Sequence, residues 1–223
     1  MRYYPANLDI QNQNCLVVGG GSVGKRKILT LLECGARVIV VSPKISHEIK
    51  ALSEGHHIEL KERNYRSSDL EGMLLVIGAT DNEEVNRQIS KDAARSRIIC
   101  NIVDRPQECT FVLPAIVKQG DLVIAISTAG KSPAFAKSLR RKLSGEFGPE
   151  YGKLLDLMGV IRKKLLQKGK SPEAHKYMFE QLIDEGLLKL VKHNNRKQID
   201  TLLKKVLGEG FVLEDLLNTE SKE

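Results

Sequence analysis

Tryptophan is absent from the 223-residue sequence, and aromatic residues make up only 4% of it. Because proteins that bind single-stranded nucleic acids stack the bases on aromatic side chains, this class of function is disfavoured. The four cysteines lie far apart with no Cys-x-x-Cys pair, which argues against a zinc knuckle and a redox dithiol. The five histidines show no metal-ligand spacing either, so we expect no resident metal site.

Long apolar runs are also missing. No stretch approaches the roughly 18 apolar residues that would cross a bilayer, so we expect no membrane-spanning segment and no membrane partner. The first nine residues lack the apolar core of a secretion signal, which predicts a cytoplasmic protein. Hydrophobic residues at 41% and charged residues at 28% are close to globular averages, and the length predicts one core plus a smaller unit.

The net charge of +7 is unevenly distributed. Residues 1–130 carry 16 Lys and Arg against 15 Asp and Glu, a net of +1, whereas residues 131–223 carry 19 against 13, a net of +6. Such a surplus attracts polyanions, which include nucleic acids, anionic lipids and small molecules with several carboxylates or phosphates. The charge alone does not choose among these ligands.

The first hundred residues alternate short apolar runs with segments of helical period. Strands are predicted near residues 15–18, 37–41, 57–60, 73–77 and 98–103, and helices over 23–33 and 83–95. This alternation is typical of an α/β fold in which crossover helices connect the strands of a parallel sheet.

Beyond residue 104 the pattern changes. Strands are predicted at 110–114 and 121–127 as an antiparallel pair, and Ser132 and Pro133 predict the cap and first residue of a helix. Residues from 151 onward have helical periodicity, with an apolar stripe over 154–165 that indicates helix packing. Further helices are predicted near 173–184 and 196–207, and the last dozen residues are expected to fray.

A glycine-rich segment follows the first predicted strand and opens the first predicted helix. Its glycines Gly19, Gly21 and Gly24 match Gly-x-Gly-x-x-Gly, with Ser22 and Val23 between the last two. In this strand-turn-helix context, the first glycine permits the turn, the second admits a pyrophosphate and the third allows close helix packing. We therefore favour dinucleotide binding over a purely structural turn.

The second strand ends without the acidic residue that commonly binds the ribose of NAD. Ser42, Pro43 and Lys44 occupy that region. Ser42 could hydrogen-bond a ribose hydroxyl, whereas Lys44 could attract the additional phosphate of NADP. The spacing alone leaves the choice between NAD and NADP open.

Asp104 follows the fifth predicted strand, and ligands of open α/β sheets bind beyond the carboxyl ends of the strands. The position favours two interpretations equally. Asp104 either faces a ligand or serves as a turn residue that caps backbone N–H groups or pairs with Arg105.

A second candidate anion site lies between the strand at 121–127 and the Ser132 helix. It combines hydroxyl groups, a flexible backbone and a helix start in Ser127, Thr128, Gly130, Lys131 and Ser132. In the helix that follows, Lys137, Arg140 and Arg141 share one side. For each of these three cations taken singly, a solvated basic face is the simpler interpretation.

Four segments together resemble the precorrin-2 dehydrogenase family, which is the dehydrogenase and ferrochelatase module of siroheme synthase. They are Cys15-Leu16-Val17-Val18-Gly19-Gly20-Gly21-Ser22-Val23-Gly24-Lys25-Arg26-Lys27, Gly78-Ala79-Thr80-Asp81-Asn82-Glu83-Glu84-Val85-Asn86, Cys100-Asn101-Ile102-Val103-Asp104 and Ile126-Ser127-Thr128-Ala129-Gly130-Lys131-Ser132-Pro133. The likeness covers residues 1 to about 150, and the methyltransferase domain of some siroheme synthases is expected to be absent.

The resemblance implies a homodimer with three parts. These are a Rossmann-type NAD-binding domain at 1–113, a small α+β dimerisation domain at 114–148 and a helical domain at 149–223. It also implies that NAD accepts a hydride from the tetrapyrrole precorrin-2, which yields sirohydrochlorin. Some members then insert ferrous iron as a second substrate, which would place iron transiently near Asp104.

The resemblance further assigns roles to residues. Asp104 takes the position of the essential aspartate, and the cofactor contacts fall on Gly21, Ser22 and Val23, on Pro43 and Lys44, and on Thr80 and Asp81. Precorrin-2 carries many carboxylates, so the basic second half and the Ser132 helix start are expected to bind it. Thr128 departs from members that carry a phosphorylated serine at this position, so that regulation is not implied.

One rival hypothesis is a regulatory subunit that senses NAD without catalysis. It accounts for the glycine motif and the basic helices but leaves Asp104 and the Ser127–Ser132 segment without a role. Nucleic-acid binding through the basic helices is a weaker rival, because acidic residues are interspersed and aromatic residues are few. We therefore expect no nucleic-acid partner.

Overall fold

The structure is a computed structural model that describes residues 3–55, 58–167 and 172–220, with side chains excepted at 172–174 and 218–220. The chain divides into two compact units, Met1–Leu113 and Pro114–Glu223. The predicted third strand began at His57, which lies outside the described residues together with His56.

The first unit is built on a five-stranded sheet in which every pair of neighbouring strands is parallel. Its strands are β1 Asn14–Gly20, β2 Arg37–Ile45, β3 Ile58–Lys61, β4 Leu75–Gly78 and β5 Ile99–Ile102. They lie in the order β3-β2-β1-β4-β5. This order is that of a Rossmann-type sheet, which confirms the predicted fold class.

Helices connect these strands: α1 spans Ser22–Glu33, α2 spans His47–Ser53 and α3 spans Glu83–Ser96. Apolar clusters cover both faces of the sheet, which is why the strands consist of nearly continuous apolar runs. In β1, Cys15 and Val17 belong to one cluster, and Leu16 and Val18 belong to the other. The two-residue period of a strand thus supplies both cores from one segment.

Parallel pairing brings the carboxyl ends of β1, β4 and β5 to one edge. Val18 of β1 lies opposite Gly78 of β4, which in turn lies opposite Ile102 of β5. The strand order reverses between β1 and β4, because β1 continues to β2 on one side while β4 follows on the other. Such a switch point leaves a crevice where ligands bind.

The second unit begins with an antiparallel pair, β6 Ala115–Gln119 and β7 Leu122–Ile126. The prediction of a strand at 110–114 was wrong, since the strand starts after Pro114. Proline lacks the N–H that a ladder needs, and the preceding residues are instead bound to β5. Thr110 N–H donates to the Cys100 carbonyl at 2.8 Å, and the Asn101 side chain donates to the Phe111 carbonyl at 3.0 Å.

Helices form the rest of the second unit. They are α4 Pro133–Glu146, α5 Pro149–Gln167, α6 Pro172–Asp184, α7 Leu187–Lys192, α8 Arg196–Leu207 and α9 Leu213–Glu220. The predicted stripe of α5 is confirmed as core, because Leu154, Leu157, Ile161 and Leu165 are buried in one cluster. Fraying was expected over the last dozen residues; Leu213–Glu220 instead form α9, which buries Leu216 in the same cluster, and residues 221–223 lie outside the described residues. None of the helices in the described residues has the length and apolar character needed to cross a membrane.

Candidate functional site

The turn between β1 and α1 fits tightly against its surroundings, except at one position. A Cβ added at Gly19 would lie 2.2 Å from the Ala79 carbonyl oxygen, and one at Gly24 would lie 2.2 Å from the Gly19 carbonyl oxygen. At Gly21 an added Cβ would meet no atom of the described residues within 4 Å beyond its own chain neighbours. The open space therefore lies beside Gly21, directly at the start of α1.

Backbone N–H groups at the start of α1 face this space without an intrahelical acceptor. The first hydrogen bond of the helix is donated by the Lys25 N–H to the Gly21 carbonyl, at 2.9 Å. The N–H groups of Ser22, Val23 and Gly24 come before it and therefore have no acceptor within the helix. Gly21 is the cap residue and has no side chain that could accept from them. Free amides and the positive end of the helix dipole form a site for a phosphate group.

A cleft of about 240 Å³ opens at this turn. Most of the predicted cofactor residues line the cleft, and so do Gly20 and Ala79. The lining residues are Gly19, Gly20, Gly21, Ser22, Val23, Ser42, Lys44, Ala79, Thr80 and Asp81. Gly20 and Ala79 were not predicted, because their position at the cleft depends on the pairing of β1 with its neighbouring strands. Gly24 and Pro43 do not line the cleft: Gly24 is buried in the turn, and Pro43 is exposed.

The hydroxyl group of Ser42 is engaged inside the protein. It donates to the Lys44 carbonyl at 2.8 Å and accepts the Lys44 N–H at 3.4 Å. Ser42 is buried, so only a lone pair of its oxygen is available to a ribose hydroxyl. The side chain of Lys44 is exposed at the edge of the cleft.

The opposite wall of the cleft is the loop between β4 and α3. The Thr80 hydroxyl accepts the Asn82 N–H at 3.2 Å, and Asn82 caps α3 by accepting the N–H groups of Glu84 and Val85. Asn82 is therefore the cap residue of α3. These bonds hold Thr80 and Asp81 at the carboxyl edge of the sheet.

Asp104 occupies a tight turn after β5 and is exposed. Its φ of +61° lies in the left-handed region, which aspartate adopts more readily than most residues. The turn is closed by the Arg105 N–H, which donates to the Ile102 carbonyl at 3.2 Å. The Arg105 guanidinium pairs with Glu83 and Glu108, so the carboxylate of Asp104 is not its partner.

Two neighbours of the Asp104 turn were not identified from the sequence. The Lys27 ammonium of α1 interacts electrostatically with Asp104; burial and the nearby Arg26 lower the pKa of Lys27, while Asp104 acts in the opposite direction. The Cys109 sulfur accepts the Ile102 N–H at 3.1 Å and lies 3.2 Å from the Arg105 carbonyl oxygen. Burial raises the pKa of the Cys109 thiol, so it remains a neutral donor and a structural link within the turn.

The candidate anion site of the second unit is a turn held by its own hydroxyl groups. The Thr128 hydroxyl accepts the Ser132 N–H and donates to the Ser132 carbonyl, each at 3.2 Å. Ser132 caps α4 as predicted, since its hydroxyl accepts the Phe135 N–H at 3.2 Å. Ser127 accepts the Ala129 N–H at 3.2 Å, and Gly130 has a φ of +80°.

Cations follow this turn. Lys131, Lys137 and Arg141 are exposed and Arg140 is half-buried. In the part of the chain that the structure describes, none of the four forms an ion pair with an acidic side chain. Their charges are therefore available to an anionic ligand. No group of three or more His, Cys, Asp or Glu residues suited to a metal ion occurs in the described ranges.

Comparisons with known proteins agree with this geometry. Residues 6–115 match the family model of NAD(P)-binding domains, and residues 119–145 match that of the central domain of sirohaem biosynthesis proteins. The siroheme synthase of Ruthia magnifica is 34% identical over 96% of this chain and 47% of its own length. That of Vesicomyosocius okutanii is 37% identical over the same shares. The chain thus spans about half the length of these relatives.

A solved structure agrees as well. The precorrin-2 dehydrogenase SirC matches with a TM-score of 0.74 and 25% identity, over 89% of this chain and all of its own. The motifs, the strand order and these matches agree with one another. The chain is similar to siroheme synthases over about half of their length and to the precorrin-2 dehydrogenase SirC over that protein's whole length.

Proposed function

We propose that this chain catalyses the NAD-dependent oxidation of precorrin-2 to sirohydrochlorin. The observation that carries the proposal is the cleft at the switch point of the sheet, where open space and free helix amides meet beside Gly21. Asp104 lies at the same carboxyl edge, after β5. The reaction needs a binding site for the dinucleotide and a carboxylate that accepts a proton.

The residues of the cleft fit a nicotinamide dinucleotide. Amides of Ser22, Val23 and Gly24 would bind the diphosphate, and a side chain at Gly21 would fill the space that the phosphates need. When bound, the cofactor supplies the hydride acceptor. We propose NAD over NADP because the family resemblance implies it, and a comparison of the two KM values tests the role of Lys44.

Asp104 is proposed to accept the proton that leaves precorrin-2 together with the hydride. Its carboxylate is exposed and lies within electrostatic range of the Lys27 ammonium, and a carboxylate in reach of the substrate can act as a general base. One hydride and one proton leave the substrate, so the reaction yields sirohydrochlorin, NADH and a proton on Asp104.

The substrate is proposed to bind through its carboxylates. The turn of Ser127, Thr128, Gly130, Lys131 and Ser132 and the cations Lys137 and Arg140 supply hydrogen-bond donors and positive charge. Orienting the two reactants contributes much of the catalysis in hydride transfer, since the cofactor provides the chemistry.

Ferrous iron is proposed as a second substrate, which displaces two N–H protons of sirohydrochlorin to give siroheme and two protons. The described residues hold no cluster of metal ligands, which suits a metal that passes through the site rather than resides there. Siroheme formation on addition of ferrous iron would support this step, and its absence would restrict the chain to dehydrogenation.

A homodimer is proposed on the basis of the β6–β7 hairpin. Two cross-strand pairs place their side chains on the exposed face of the hairpin. They are Ile116 with Ala125 and Lys118 with Val123. Two strands alone are marginally stable, and the apolar Ile116 and Val123 on this face favour association with a second copy. The cytoplasmic location expected from the amino-terminal residues stays a prediction.

One assay tests the main proposal. Purified protein is incubated with precorrin-2 and NAD, and NADH and sirohydrochlorin are followed by absorbance, before ferrous iron is added. Formation of both products in equal amounts supports the dehydrogenase. Binding of NAD without turnover would instead favour the regulatory subunit that senses NAD.

A further inference from the structure

A buried amide lies beneath the wall of the cleft. Asn86 of α3 is only 5% exposed, and its Nδ2 group donates to the Thr80 carbonyl oxygen at 2.8 Å. The Asn86 backbone N–H donates to the Asn82 carbonyl as part of the helix. The side chain therefore links the first turn of α3 to the loop that lines the cleft.

Gly78 creates the room for this amide. A Cβ at Gly78 would lie 2.7 Å from the Ile102 Cδ1 atom and 3.0 Å from the Asn86 Oδ1 atom. That oxygen is buried and has no hydrogen-bond partner among the described residues. A buried acceptor without a partner costs about 1–3 kcal/mol, so an apolar residue would serve a purely structural purpose better.

The bond from Asn86 also orients the next peptide group. In a planar trans peptide the C=O and the following N–H point in opposite directions. With its carbonyl directed at Asn86, the Thr80–Asp81 peptide turns the Asp81 N–H away from the core. This N–H has no acceptor in the described ranges, and both Thr80 and Asp81 line the cleft.

We propose that Asn86 is a positioning residue that directs the Asp81 backbone N–H at the nicotinamide dinucleotide as a hydrogen-bond donor. The inference rests on the proposed cofactor site and extends it to a residue that does not touch the cofactor. A backbone donor fixed in this way costs no reorganisation when the ligand binds.

The test compares two substitutions on the same helix. Asn86→Leu removes the amide but keeps the branching and the number of heavy atoms of the side chain. Ser90→Ala is the matched control, because Ser90 lies one turn later and donates to the Glu108 carbonyl, at 3.0 Å, away from the cleft. Calorimetric titration with NAD is expected to give an approximately tenfold higher dissociation constant for Asn86→Leu and an unchanged one for Ser90→Ala.

Two further readouts separate positioning from a structural role. In Asn86→Leu the KM for NAD should rise while kcat is retained, since the lost contact serves binding. In the wild-type protein, the Asp81 amide proton should shift downfield on saturation with NAD, and this NMR signal needs no variant to fold. An Asp81 amide that does not move, or equal NAD affinity in wild type and Asn86→Leu, would overturn the inference. Failure of the wild type to bind NAD would instead overturn the proposed cofactor site.

Discussion

Gly19 and Ala79 are in contact across the switch point of the sheet. Gly19 has a φ of +129°, and a Cβ at this position would lie 2.2 Å from the Ala79 carbonyl oxygen. The contact joins the end of β1 to the loop after β4, which together form two walls of the cleft. Glycine is required here both for the backbone conformation and for the close approach.

Gly19→Ala is therefore expected to destabilise the protein by at least about 2 kcal/mol, from backbone strain and the clash with Ala79. Gly21→Ala is the matched change at an open position with an ordinary φ of −93°. It should alter the free energy of unfolding by less than about 0.5 kcal/mol but weaken NAD binding at least about tenfold.

Urea unfolding and NAD titration of both variants check this contrast. If Gly21→Ala bound NAD as tightly as the wild type, the phosphate position at the start of α1 would be wrong.

Asp104→Asn is expected to keep NAD binding and to reduce turnover by about 10²- to 10⁴-fold, because the amide cannot accept the proton. Asparagine tolerates the left-handed φ of +61°, so the turn should persist. Steady-state formation of sirohydrochlorin gives kcat, and calorimetry gives the affinity for NAD. Asp121→Asn, which removes an exposed turn carboxylate of the second unit, serves as the control with wild-type turnover.

Turnover of Asp104→Asn at the wild-type rate would remove this residue from the reaction.

Stability in acid should depend on the ion pair of the half-buried Arg63 and the buried Asp69. The Arg63 guanidinium donates to Asp69 at 2.8 Å, and with the Arg66 N–H it holds the pKa of Asp69 below its ordinary value. A depressed pKa in the folded state contributes stability above the unfolded pKa of about 3.9, and this is lost as the pH falls through the folded value. Asp69→Asn should show a smaller loss of stability below about pH 4.

Urea unfolding at about pH 6 and at about pH 3 measures this loss of the free energy of unfolding for both proteins. Parallel losses in the wild type and in Asp69→Asn would show that other carboxylates dominate acid unfolding.

The double variant Ile116→Asp with Val123→Asp is expected to be monomeric, because two buried charges would oppose association through the outer face of the hairpin. Both side chains are exposed, at 41% and 48%, so the fold of a single copy should tolerate the changes. Sedimentation velocity measures the association state. Val212→Asp, at a residue that is 41% exposed in another part of the second unit, is the control.

A dimer that survives both substitutions would exclude this face as the interface.

Local patterns predicted much of the fold correctly. The apolar runs predicted the central strands, and Ser132 was recognised as a helix cap because capping depends on neighbours in sequence. The strand expected at 110–114 was wrong for the opposite reason: Thr110 and Phe111 bond to the distant β5 instead of to β7. Hydrogen bonds to a segment that is distant in sequence produce no periodic pattern within the segment itself.

The candidate site divides in the same way. The glycine motif identified Gly19, Gly21 and Ser22, since a phosphate-binding turn is contiguous in sequence. Gly20, Ala79 and Asn86 lie in the motif segments, but no role was assigned to them, because their roles arise from the contact between β1 and the loop after β4. The hydrogen bond from the Ser42 hydroxyl to the Lys44 carbonyl was not predicted either, because the residue type does not show which acceptor a hydroxyl binds.

The amino-acid sequence by itself determined the alternation of strands and helices, the glycine-rich turn before α1 and the cap of α4, because each depends on a few adjacent residues. Only the tertiary structure decided which loops form the walls of the cleft, that Arg105 pairs with Glu83 and Glu108 rather than with Asp104, and that Asn86 supports the Thr80 loop. These relationships join residues that are far apart along the chain, and they exist only after the strands have paired and the helices have packed.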